Sequence, residues 1–303
     1  MLWEMNCSPF NLSCALGLAL ALLSPFPVSG AELIDPAALG FGAPAFTADF
    51  TAQGTLDYQN ESGGIDLYEF RALAPLAKWE SGSWLFGTGL NYSGTGADFG
   101  GASGLGSTTL HQLEVRLFTA YEEKSSPWWA LGFLSPGIAS DFKDLGSDAF
   151  AATGLGLIGY HWNARLDLAA GVFAGYRLGE ATVLPAVGFI WRPTERCIVQ
   201  ATPPILAIGW QPNTDWTLGL VGYPAGGSWE IGGKNEAVRQ IDLTLWRAAL
   251  SLERRFGPHW RVSARGGVAF GGEVEFRDAS ERVLSSSDLD PSPFGALAVK
   301  WAF

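Results

Sequence analysis

Apolar and polar residues alternate with a period of two through most of the chain, most clearly at its C-terminal end. There one face carries Lys300 and alanines, and the opposite face carries Leu297, Val299, Trp301 and Phe303. A period of two is typical of a β-strand whose faces meet different surroundings. If the apolar face meets lipid, the strands must form a closed barrel, because lipid cannot satisfy backbone hydrogen bonds.

Fourteen such segments can be marked between residue 45 and the end of the chain, and single-chain bacterial barrels have an even number of strands. Pro203 and Pro204 separate two of the shortest segments, and proline cannot donate a hydrogen bond to a sheet. A count of twelve is therefore the alternative. We predict an all-β fold, a transmembrane antiparallel β-barrel of 12–14 strands.

The segment 238–255 changes phase in its middle. Its apolar residues occupy odd positions up to Leu245 and even positions from Trp246 onward. Such a slip predicts a β-bulge near these two residues, or an outer part of the strand that stands above the bilayer.

The connections between segments alternate between short turns and long loops, and barrels have short periplasmic turns and longer extracellular loops. The long connections are 94–107, 139–149 and 277–291. Tryptophans cluster beside the short turns, as expected for rings at a membrane–water boundary. We predict a periplasmic aromatic girdle of Trp79, Trp84, Trp128, Trp162, Trp191, Trp210, Trp216 and Trp260.

An apolar run over residues 12–23, followed by small residues, is typical of a secretory signal peptide and is too short for a membrane helix. Beyond it the chain has a single cysteine, Cys197, so no internal disulfide is expected. The predicted organisation is a cleaved signal peptide over 1–31, a short periplasmic segment over 32–44 and the barrel over 45–303.

Charged residues on the polar faces predict an ionic lumen. The candidates for its lining or constriction are Arg165, Asp167, Arg247, Glu253, Arg261, Arg265, Glu273 and Lys300. They fit either a charged filter for small polar solutes or a ladder of ion pairs that fills the lumen. The net charge of −11 argues against nucleic acid and anionic substrates as partners.

No residue pattern predicts catalysis, a cofactor or a metal site. His161 and His259 lie at short turns beside tryptophans and are interpreted as interface residues, while His111 shares the register of apolar outward positions. Cysteine and histidine lack metal-ligand spacing. The glycine-rich run 154–159 matches a dinucleotide fingerprint but is followed by a strand rather than a helix. We therefore do not expect an enzyme.

Four segments of the C-terminal half resemble an uncharacterised family of bacterial outer-membrane β-barrels that is classed as a domain of unknown function. The segments are 210–216, 254–260, 271–277 and 288–294. The resemblance implies a barrel over 45–303 in the outer membrane of a Gram-negative-type bacterium. It implies no activity and carries no catalytic residues.

A barrel of this predicted size has a wider lumen than the ~8-stranded barrels that side chains can fill. We therefore predict a passive pore or substrate-guiding channel for small solutes. The alternatives are a structural or adhesive barrel with a plugged lumen, and an outer-membrane enzyme. The expected partners are outer-membrane lipid and the barrel-assembly machinery, which would read Phe303, Trp301, Val299 and Leu297 as an insertion signal.

Overall fold

A computed structural model describes residues 46–60, 62–100, 105–123, 125–232 and 237–301. Phe303 and the predicted signal and periplasmic segments lie outside the described residues. No helix among the described residues is long and apolar enough to cross a membrane. The strands, β1 to β15, are Phe46–Asp57, Gly64–Ser81, Trp84–Phe99, Gly106–Glu122, Trp128–Ser140, Phe150–Asn163, Leu166–Arg177, Glu180–Thr194, Cys197–Thr202, Ile205–Trp210, Trp216–Glu230, Gln240–Phe256, Trp260–Arg277, Val283–Leu289 and Ser292–Trp301.

The strands form one closed antiparallel barrel. Each strand from β1 to β13 pairs with the next one in the chain, and β15 closes the ring between β13 and β1. The short strand β14 pairs with the outer part of β13, above β15. Strands β14 and β15 are therefore two pieces of a fourteenth strand, separated at Asp290 and Pro291. The upper end of the predicted range, fourteen strands, is confirmed.

The outer surface of the wall is apolar. Along β15, buried and exposed positions alternate, and the exposed ones include Leu297. Along β12 the large exposed side chains include Trp246, Leu250 and Leu252. Polar and charged side chains point inward instead. An apolar exterior around a polar interior is the arrangement of an outer-membrane β-barrel, and the protein is such a barrel.

The predicted irregularity near Leu245 and Trp246 is present, but the extra residue lies in β13. The pairing of β12 with β13 shifts between Thr244 and Trp246, and Gly271 opposite has a φ of 58°. Only glycine adopts that conformation without steric cost. Beyond Gly271 the even residues of β13 point inward, so Glu273 is on the outer face.

The outer ends of β11 and β12 lean into the barrel mouth. Ser140, the last residue of β5, pairs in parallel with Glu230, the last residue of β11. The Asp141 N–H donates to the Glu230 carbonyl over 3.3 Å, and the Gly146 N–H donates to its carboxylate over 2.9 Å. The Gly232 N–H donates to the Asp141 carboxylate over 2.9 Å. The hairpin thus crosses the lumen and docks on the β5–β6 loop.

Candidate functional site: the barrel lumen

An apolar cluster closes the outer mouth of the lumen. It draws on β1–β6 and on β11–β14 and includes the outer odd positions of β12. Its fully buried members include Ile65, Ile241, Leu245 and Val274, and Trp229 of the inward-leaning hairpin is also buried. In the sequence, the apolar residues of this segment occupy odd positions up to Leu245. The structure shows that these side chains face the apolar cluster and not the lipid or the space above the bilayer.

A bidentate ion pair spans the lumen below this cluster. Arg247 of β12 donates to both carboxylate oxygens of Glu69 on β2, each over 3.0 Å. Arg71 adds a 3.1 Å contact to the same carboxylate, Gln53 accepts from Arg247 over 3.3 Å, and the guanidinium lies over the Phe294 ring. Arg247 is only 1% exposed. Since β12 and β2 are separated by β13, β15 and β1, the pair ties together distant parts of the wall.

A second pair lies in the same part of the lumen. Arg265 of β13 pairs with Asp49 of β1, on the far side of β15, and its guanidinium lies over the Tyr223 ring of β11. Both charged residues are buried. Together with Arg247 and Glu69 they form an ionic layer that crosses the lumen between β1 and β2 on one side and β11–β13 on the other.

The end of the lumen beside the short turns holds a third charged group. His161 Nδ1 lies 2.6 Å from the Asp167 carboxylate, which also accepts from Arg192 over 2.7 Å. His161 and Asp167 are buried, and the second ring nitrogen of His161 has no hydrogen-bond partner among the described residues. The interpretation of His161 as an interface residue was therefore wrong. Its alternation with outward-facing Trp162 was the sequence signal that places it inward.

A cavity of about 260 Å³ lies inside the barrel beside the inward-leaning hairpin. Its charged lining consists of Arg71, Arg116, Arg177 and Glu114. Asn91 and Gln112 donate to the Glu114 carboxylate over 2.7 and 2.8 Å, so this negative charge is held by neutral amides. The remaining lining is polar, small or aromatic, and it includes Phe133, Phe173 and Trp229 together with Pro224 and two glycines of β11.

Arg116 is the least satisfied group of this cavity. Its Nε donates to the Ser135 hydroxyl over 3.3 Å, whereas its Nη1 has no hydrogen-bond partner in the described protein. The side chain is buried. A buried polar group without a partner is costly, and a bound water or solute acceptor would remove that cost.

An ion pair joins two turns of the outer rim. Arg277 at the end of β13 reaches Glu180 at the start of β8, with 3.2 Å between guanidinium and carboxylate. Within the turn that follows Arg277, the Arg282 guanidinium donates to Asp278 and holds the pKa of that carboxyl below its usual range.

Two of the predicted lumen residues do not line the lumen. Arg165 is exposed in the turn between β6 and β7, and Glu273 lies on the outer face because of the bulge at Gly271. The first error arose because the predicted strand began one residue too early, at Arg165. The second arose because the bulge at Gly271 reverses the faces of the outer part of β13. The others occupy inward positions of their strands, and their role in a constriction stays a prediction; these are Asp167, Arg247, Glu253, Arg261, Arg265 and Lys300.

The eight tryptophans of the predicted girdle lie on the outer surface or its edge, all next to the short turns at one end of the barrel. Trp162 is the most exposed of them, at 65%. Their role at a membrane boundary stays a prediction. Of the predicted insertion signal, Leu297, Val299 and Trp301 lie on the outer face of β15.

Among the described residues, no group of three or more His, Cys, Asp or Glu side chains is placed to hold a metal ion. The residues that the structure does bring together are ion pairs and amides around a cavity. Arginine and amide donors of this kind are able to neutralise and hydrogen-bond polar groups.

The sequence model of a family described as a domain of unknown function, DUF6268, matches residues 110–302. No protein with a curated description matches. Among solved structures, an outer-membrane channel from Pseudomonas putida F1 is similar at 10% identity and a TM-score of 0.46, covering 86% of this chain and 96% of that chain.

Two further solved structures are similar in the same way. A FadL homologue of Pseudomonas aeruginosa has 11% identity and a TM-score of 0.45, with 98% of this chain and 99% of that chain covered. The toluene transporter TodX of P. putida has 14% identity and a TM-score of 0.37, with 90% and 94% covered. At these identities the likeness concerns the fold alone.

Proposed function

This chain belongs to the DUF6268 family of unknown function, and we propose that it is a substrate-guiding channel for small anionic solutes. The observation that carries the proposal is the cavity in the lumen, with three arginines and one glutamate on its wall. The local excess of positive charge is opposite in sign to the net charge of −11. A cavity with such walls concentrates anions even in an acidic protein.

Arg116 is the proposed anchor for the solute. Its Nη1 has no partner in the described protein, and a guanidinium favours carboxylate, sulfonate or phosphate oxygens over neutral acceptors. Arg71 shares the cavity wall but already contacts Glu69. Arg116 therefore has the greater capacity for a new anion.

The apolar cluster at the outer mouth acts as the gate in this proposal. Its members are buried apolar side chains, which are a barrier to a charged solute. The inward-leaning hairpin is held to the β5–β6 loop mainly through Glu230 and Asp141. Solute entry then requires this hairpin to move, and diffusion supplies the only driving force.

The test is liposome swelling with the purified protein, using organic acids, amino acids and sugars of similar size. We expect anions to enter faster than neutral or cationic solutes, and Arg116→Gln to remove that preference. Arg261→Gln is the matched control, because Arg261 also points inward but does not line the cavity. Equal entry of anions and cations into wild-type liposomes would refute the anionic selectivity.

A plugged structural barrel is the second candidate, favoured by the ionic layer of Arg247, Glu69, Arg265 and Asp49 that crosses the lumen. Planar-bilayer recordings separate the two functions. A channel gives openings that become more frequent when Glu230→Gln weakens the hairpin contact. A plugged barrel gives none in either form.

A further inference from the structure

Two short strands leave a gap in the barrel wall. Strands β9 and β10 have six residues each, whereas the flanking β8 and β11 have fifteen. Pairing of β8 with β9 ends at Phe189, and pairing of β10 with β11 ends at Gly222. Beyond these points, within the described residues, neither flanking strand has a sheet neighbour on the gap side until Glu230 meets β5.

The gap begins inside the apolar band of the wall. Its lower border is the turn at Pro203 and Pro204, and Pro204 lies six residues above Trp210 on β10. Six residues of a strand tilted by about 40° rise about 16 Å, and the apolar band of such barrels is about 25 Å tall. If Trp210 marks the periplasmic boundary, the lower part of the gap faces hydrocarbon.

The inner face of β8 is open beside the gap. Leu184 lies on the same face as Ala186 and Ile190, which point inward and are buried. Leu184 is nevertheless 52% exposed. Since Ala186 and Ile190 on the same face are covered, Leu184 borders open space and not packed side chains. The opening is apolar on this side, because Pro185 follows Leu184.

Two prolines keep both edges of the gap unpaired. The Arg192 N–H donates to Arg165, on the β7 side, so even residues of β8 face β7 and Pro185 faces the gap. On β11 the Glu230 carbonyl accepts from β5 across the gap side, so even residues, including Pro224, face the gap. Each proline lacks the N–H that an added strand would need.

The gap joins the anion cavity. Arg177 of β7, Pro204 of the lower border and Pro224 of the β11 edge all line that cavity. Unpaired strand edges at membrane depth are tolerated where they border a water-filled cavity, because water satisfies their backbone groups. The same groups facing only lipid would be costly.

We propose that this gap is a lateral passage between the lumen cavity and the bilayer, for small amphipathic anions. The arginines of the cavity hold the charged group, and the apolar chain lies in the gap between Leu184 and Pro224. The choice of an anion rests on the proposed function, whereas the passage itself does not. At the outer end of β8, which borders the gap, Glu180 pairs with Arg277 of β13.

Spin labels test the passage without any solute. In a Cys197→Ser background, cysteines at three positions carry a nitroxide in reconstituted membranes, and collisions with oxygen report contact with lipid. Val183 on the outer face is the positive control, and Ala169, an inward residue of the continuous wall, is the negative control. We expect the label at Leu184→Cys to collide with oxygen nearly as often as that at Val183→Cys. Oxygen collisions as rare as those at Ala169→Cys would overturn the passage.

Two sulfonates then test the solute. Octanesulfonate should restrict the motion of the label at Leu184→Cys, because its chain occupies the gap, whereas methanesulfonate should bind without this effect. Arg116→Gln should abolish the response to octanesulfonate. If octanesulfonate binds but leaves the label unchanged, the lateral passage is wrong and the anion channel stands. If neither sulfonate binds, the anion channel is wrong, and the oxygen measurement alone decides the passage.

Discussion

Replacing Arg247 by methionine should destabilise the barrel strongly. The change removes two 3.0 Å hydrogen bonds to Glu69, the bond to Gln53 and the contact with the Phe294 ring. Two unit charges about 4 Å apart attract by about 4 kcal/mol at an effective dielectric constant of about 20. Removing one partner of a buried pair costs about 3–5 kcal/mol. Because Arg71 still contacts Glu69, we expect the lower end, about 3 kcal/mol.

The assay is reversible urea unfolding in lipid vesicles, followed by tryptophan fluorescence. The double variant Arg247→Met/Glu69→Leu removes both charges and should recover most of the loss, since apolar replacements of buried pairs are often neutral. The control Arg261→Met breaks a 3.8 Å pair with Glu253 that is more exposed, and should cost about 1 kcal/mol or less. A double variant as unstable as the sum of the two single variants would refute the reasoning, because it would show that the charges do not interact.

Three further outcomes are expected. Deleting Phe303 should lower the amount of barrel in isolated outer membranes, and unchanged insertion would contradict its role as an assembly signal. Trp229→Ala should cost about 3–5 kcal/mol of unfolding free energy and raise bilayer conductance, because it opens the apolar cluster at the mouth; Trp246→Ala, on the outer face, should leave conductance unchanged. Asp167→Asn should cost about 1–3 kcal/mol in the same urea assay, since it weakens buried bonds to His161 and Arg192; stability equal to wild type would exclude a structural role for this group.

The wall could be predicted from the sequence because alternation and turn residues are local signals. Each segment that was marked became a strand, and the irregularity at Leu245 and Trp246 was seen as a change of phase. Strand β14 was missed because its Ser285–Ser287 stretch has no apolar face. Serine-rich sequence is typical of a loop, and the pairing with β13 overrides that preference.

The interior could be predicted only in part. Alternation shows which residues share a face, but it cannot distinguish an apolar face turned to lipid from one turned to another part of the barrel. Ile241 and Leu245 therefore gave no sign of a closed mouth. The contact of Arg247 with Glu69 joins residues 178 positions apart, and such a pairing depends on the curvature of the whole ring. In the sequence, Pro203 and Pro204 indicate only that the barrel has twelve or fourteen strands, and they do not predict the gap above them.

The division of the last strand into β14 and β15 has a consequence for ring closure. Strand β1 meets β15 along eight residue pairs, from Phe46 with Trp301 to Gln53 with Phe294. Above the break at Pro291, Tyr58, which directly follows β1, forms one bridge to Leu289 of β14. The junction between the first and last strands is thus a short ladder of paired residues with a single bridge at its outer end. We expect a newly inserted barrel to close first along the β1–β15 ladder, while the β13–β14 hairpin folds on its own and forms the bridge last.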